Sequence, residues 1–117
     1  MTATGPIWVV DEIVTRPGMG PAFLKAYMER YAPGATARGM TLVHKLVEPA
    51  MWLEDASNTV LLFWSLPDVG ATWGAKHMVR GDADVRHWWE VEAPEFILSR
   101  RRSTLADADA LKGLDDV

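Results

Sequence analysis

The chain has 117 residues, a formal net charge of -4 and no cysteine. That length suits one domain with its own core; the acidic balance argues against a nucleic-acid groove or an anionic membrane surface, and the missing thiols exclude disulfides, thiolate metal sites and a thiol nucleophile. No apolar run approaches the roughly 20 residues that span a bilayer, and Met1 to Pro6 has neither the charge nor the apolar core of a secretory leader, so the sequence predicts a cytoplasmic protein.

Ile7 to Val14 reads as a first strand, apolar on both faces except at Asp11 and Glu12. One of these carboxylates must face inward or lie near the strand's end. Burying it is costly unless Arg100 or Arg102, on a neighbouring strand, pairs it. Arg16 to Gly20 is a turn, and Pro21 opens a helix that runs to about Ala32, with Phe23, Tyr27 and Tyr31 on one stripe. Pro33-Gly34 ends it. Met40 to Glu48 is a second, alternating strand, with Met40, Leu42, His44 and Leu46 on one face and Lys45 marking a sheet edge. A connection through Trp52, Glu54 and Asp55 leads to Asn58–Leu66, a strand apolar on both faces.

Asp68 caps the next helix, in which Val69, Trp73 and His77 fall at i, i+4 and i+8, and Gly81-Asp82 break it. A short helix, roughly Asp84 to Ala93, sets Val85, Trp88, Trp89 and Glu92 on one side and stops at Pro94. Phe96 to Ser103 is a fourth strand, apolar first and then Arg100-Arg101-Arg102. The acidic stretch 105–117 reads as a fraying or loosely helical tail after a single domain over 1–104. The element order is βαββαβ, the ferredoxin-like α+β plan with an antiparallel four-stranded sheet. Its first and third strands, the two continuously apolar ones, take the centre. Helices from one chain can cover one sheet face only, so the other predicts a homodimer.

That combination resembles the dimeric α+β barrel superfamily over about Ile7 to Ser103. Locally, Lys76-His77-Met78-Val79 followed by Asp84-Val85-Arg86-His87-Trp88-Trp89 is similar to the stress-responsive and polyketide-cyclase-like barrels, where a histidine at this place acts as a base. Their His-x-x-His pair is represented here by Gly74-Ala75-Lys76-His77, which keeps the second histidine. Trp64 with His77 is also similar to haem-degrading monooxygenases of the superfamily, but the asparagine those enzymes carry on the first strand has no counterpart in Ile7 to Val14.

His77, on the stripe with Val69 and Trp73, is the leading candidate base, because an imidazole held from water favours the neutral form that proton abstraction needs. His44 is the second acid–base candidate, and His87 is expected to face solvent. Trp64, Trp73, Trp89, Tyr27 and Tyr31 are candidate ligand contacts, with core packing as the competing role of each. Three histidines on three elements give no metal-ligand spacing, and no phosphate-binding loop is present. Two function classes follow. One is a cofactor-independent cyclase, isomerase, lyase or monooxygenase acting on an apolar, aromatic or polyketide-like molecule. The other is a binding or stress-response barrel that uses the same cavity without catalysis.

Overall fold

The computed structural model describes residues 4–111. Four strands, β1 (Ile7–Thr15), β2 (Thr41–Glu48), β3 (Thr59–Leu66) and β4 (Ile97–Ala106), form one antiparallel sheet in the order β2-β3-β1-β4. This is the expected ferredoxin-like α+β arrangement, with the two most apolar strands at its centre. Strand β4 runs beyond Ser103 to Ala106, and a short 3-10 turn, Ala108–Ala110, follows it. The remainder of the anticipated tail, 112–117, lies outside the described residues.

The helices lie on one side. Facing them are Ile7, Val9 and Ile13 of β1 with Val60, Leu62, Trp64 and Leu66 of β3, all buried. Each such aliphatic side chain contributes about 1.5–3 kcal/mol by leaving water. Opposite faces alternate in a strand, so Trp8, Val14, Leu61 and Phe63 look the other way, where none of the described elements covers them and each stays partly exposed. The described residues measure 51 × 32 × 19 Å, the thinnest dimension being that of one sheet and one helix layer.

Both helical excursions contain a π turn just before a proline. The first runs as α1 (Gly20–Ala26), a π turn (Tyr27–Tyr31) and α2 (Ala32–Ala37), so the helix passes the Pro33-Gly34 pair expected to end it. The Ala32 N–H donates to the Tyr27 carbonyl, five residues back, and the ladder changes register there. Pro33 then falls in the first turn of α2, where a missing N–H costs little. The second excursion comprises α3 (Val69–Arg80), α4 (Ala83–His87), a π turn (Trp88–Glu92) and a 3-10 turn (Ala93–Glu95) with Pro94 at its start. Asp68 caps α3 as expected, its carboxylate accepting from the Ala71 N–H at 2.7 Å.

Asn58 pins the long connection before β3. Its buried amide donates to the Met51 carbonyl at 2.8 Å and accepts from the Leu53 N–H at 2.9 Å, and its backbone N–H donates to Thr15 Oγ1 at 3.1 Å. This loop sits against the turn ahead of α1. Gly18, at φ 72°, comes so close that an added Cβ would lie 2.5 Å from the Glu54 carbonyl oxygen.

Candidate functional site

A buried carboxylate organises the helix side of the sheet. Asp11, fully buried, stands directly across from Arg102 in the β1–β4 register. Arg102 donates to both of its oxygens, from Nε at 2.7 Å and Nη2 at 2.8 Å. Tyr27 donates its hydroxyl to the same carboxylate at 2.9 Å and accepts the Trp64 indole N–H at 2.7 Å. Arg102 Nη2 also donates to the Tyr31 hydroxyl at 2.7 Å. Arg100 lies 3.9 Å from Asp11 and rests on Trp89, its guanidinium carbon 3.5 Å from the ring centroid. The pairing of a strand-1 carboxylate with the arginines of strand 4 is thus as the sequence suggests.

Burial, and then the neighbouring Asp11 carboxylate, hold the Tyr27 phenol far above its usual pKa. Burial works against the charge on Arg102, but the hydrogen bonds and charge of Asp11 outweigh it, so the Arg102 pKa lies above that of free arginine. Burial, and then Arg102, push Arg100 down. The folded Tyr27 pKa is raised, so its contribution is complete below the unfolded value of 10.0 and declines as pH rises past it. Tyr27→Phe is expected to cost about 1–3 kcal/mol at neutral pH, because Trp64 Nε1 and one Asp11 lone pair lose their partner. That gap should narrow above about pH 10, where the wild-type chain loses up to about 1.4 kcal/mol per pH unit from this group and the variant does not. Urea unfolding at several alkaline pH values checks it; a gap that widens there contradicts the assignment.

Beside this network lies a cavity of about 130 Å³ between one end of the sheet and α3. Val9, Leu66, Arg102 and Thr104 form its floor, Thr72, Ala75, Lys76 and Val79 its roof, and Tyr31, Arg38 and Met40 its wall. The space exists because α3 turns short side chains, Thr72 and Ala75, to the sheet, and its bulky Trp73 and Met78 outward at 65% and 56% exposure. Arg38, at the C-cap of α2, is 8% exposed, and its Nε and Nη2 have no hydrogen-bond partner among the described residues. It also lines a second cavity of about 190 Å³ with Arg30, Asp82, Asp84 and Trp88, whose indole N–H is likewise unpartnered.

The structure separates the residues singled out from sequence. Tyr27, Tyr31, Trp64, Trp88 and Trp89 do meet, but as a packed cluster with ring centroids 5.0–6.4 Å apart. Rings that close leave no slot for a planar ligand, and of the five Tyr31 alone reaches the cavity beneath α3. Trp73 is remote from them, with Lys76 Nζ 5.2 Å from its ring. His77 is exposed on that same outer side, and His87 is exposed as expected. The stripe expected to bury Val69, Trp73 and His77 is therefore corrected: α3 docks through its small residues, one face over. His44 is exposed too. A bulge between Leu42 and His44 breaks the β2 alternation, so Leu42 faces Trp64 on the helix side whereas His44 faces Phe63 on the bare side, 5.9 Å between rings. Arg38 and Asn58 escaped the sequence reading. No periodicity marks either, and only the helix's persistence past Pro33 brings Arg38 inward.

No family model matches the chain, and no curated protein matches it in sequence. Solved structures do. An uncharacterized NIPSNAP domain protein from Burkholderia xenovorans is similar with a TM-score of 0.67 at 15% identity, over 87% of this chain and 94% of that one. A NIPSNAP-like domain protein from the same organism gives 0.68 at 10% identity, covering 93% and 90%. A NIPSNAP family protein from Agrobacterium tumefaciens str. C58 gives 0.66 at 16% identity, covering 93% and 91%. Likeness at such identities is one of fold, and the fold is ferredoxin-like α+β. Among the described residues no helix is long and apolar enough to cross a membrane, and no three potential metal ligands group together.

Proposed function

We propose that the chain is a small-molecule-binding protein that works as a homodimer of the dimeric α+β barrel type. The observation that carries this reading is the cavity between sheet and α3, apolar along Val9, Met40, Leu66 and Val79 and edged by a few polar groups, the usual make-up of a ligand site. Partly exposed Phe63, Leu61 and Trp8, with Leu46 and Leu105 each 46% exposed, support a second copy seated on the opposite sheet face. The fold likeness to NIPSNAP proteins supports the barrel type, whereas kinship with the stress-responsive and cyclase-like barrels rests on the Lys76–Val79 and Asp84–Trp89 stretches alone. Binding is favoured over proton transfer because His77 and His44 both stand outside the cavity. Among neutral probes, benzamide and indole are expected to bind the wild-type chain in ligand-observed NMR. Ala75→Leu, which fills the cavity from its roof, should remove the signal, as should Val79→Phe. Probes that ignore both variants, or that never bind, count against the reading.

A further inference from the structure

We propose that the molecule held in this cavity is a small carboxylic acid, bound as its anion by Arg38 with its apolar part against Met40, Leu66 and Val79. The proposal rests on the binding reading above and adds the chemical class of the ligand.

Charge carries it. Three basic side chains, Arg38, Lys76 and Arg102, line the cavity and, among the described residues, no acidic one does; the Lys76 ammonium itself lies over the outward Trp73 ring, 5.2 Å from its centroid. Arg102 is already engaged by Asp11 and Tyr31. Arg38 is not. It forms no ion pair with any described residue, and two of its nitrogens are buried without an acceptor. The Tyr31 ring, 5.7 Å from its guanidinium carbon, offers only a weak cation–π contact. A buried arginine in that condition costs several kcal/mol unless an anion completes it. Its planar fork matches a carboxylate, which takes two parallel N–H bonds. The second cavity offers no such place, since Asp82 and Asp84 on its wall repel an anion, and the Asp82 carboxylate is occupied in capping α4, accepting from the Asp84 and Val85 N–H groups at 2.9 and 3.2 Å. Size sets the rest. An apolar cavity of about 150 Å³ accepts one benzene ring, so the space beside Arg38 suits a compact ring or short acyl chain rather than a bare inorganic anion.

The test uses the full chain with benzoate and its neutral counterpart benzamide at neutral pH, followed by calorimetry and by the thermal unfolding midpoint. Benzoate is expected to bind about tenfold tighter than benzamide or better, and Arg38→Met to erase that preference. Without any probe, Arg38→Met should unfold at or above the wild-type temperature, because it removes a buried charge that lacks a partner. Equal affinity for the two probes overturns the carboxylate assignment and leaves the binding reading standing. So does an Arg38→Met chain that keeps the preference, or that melts earlier without probe, which marks Arg38 as a structural partner of Asp82 or Asp84. Failure of both probes to bind overturns the assignment and the binding reading together.

Discussion

Asp11→Ala lowers the stability of the folded chain by about 3 kcal/mol, read as a drop in the urea midpoint at unchanged slope. The size follows from what the carboxylate holds. It accepts two bonds from Arg102 and one from Tyr27, and through Tyr27 it fixes the Trp64 indole. Truncation leaves those donors facing a small void with no acceptor. Breaking one side of a buried pair costs about 3–5 kcal/mol; here the lower end applies, because the Arg102 side chain is 30% exposed and regains some water. The double change Asp11→Leu with Arg102→Met should recover most of the loss, since apolar groups of similar volume often replace a buried pair without penalty. A single-variant loss below about 0.5 kcal/mol would show that the network contributes little beyond surface pairs.

Phe63→Asp should convert a dimer into a folded monomer, raising the dimer dissociation constant by about a thousandfold, the effect of placing an unpaired carboxylate at the middle of an apolar contact. Phe63 lies on the bare face between Val10 of β1 and His44 of β2 and takes no part in the helix-side core. The circular dichroism spectrum should therefore stay that of the wild-type chain. Sedimentation velocity decides it: the wild type is expected at twice its 13.0 kDa chain mass and the variant at once that mass. A wild-type chain that sediments as a monomer at micromolar concentration, or a variant that remains dimeric, refutes the barrel-type assembly.

Much of the architecture is written in local pattern. Strands apolar on both faces at Ile7–Val14, apart from Asp11 and Glu12, and at Asn58–Leu66 mark the centre of the sheet, and Lys45 and the arginine run mark its edges. The adjacent carboxylates Asp11 and Glu12 call for a cation from Arg100 or Arg102, because an inward carboxylate in such a strand needs one opposite; which of the two turns inward, the sequence leaves open. The site was harder to read. Hydrophobicity alone favours Trp73 for the inner side of α3, yet the helix approaches the sheet through Thr72 and Ala75, which permit closer contact. A single extra residue in β2 then moved His44 to the other face, and strand parity carries no sign of a bulge. Arg38 is inward only because a π turn lets the helix outlast a proline, a tertiary solution that helix-breaker rules do not contain.

That π turn makes the ligand anchor a matter of counting. The π turn winds one extra residue into the ladder, so deleting one position within Tyr27–Tyr31 and letting an ordinary ladder re-form would leave Arg38 facing as it does, whereas deleting one elsewhere between Phe23 and Arg38 with the π turn kept would turn it by about 100°. A missing residue in this interval is therefore silent where the π turn goes with it, and re-aims the C-terminal half of the helix where the π turn stays.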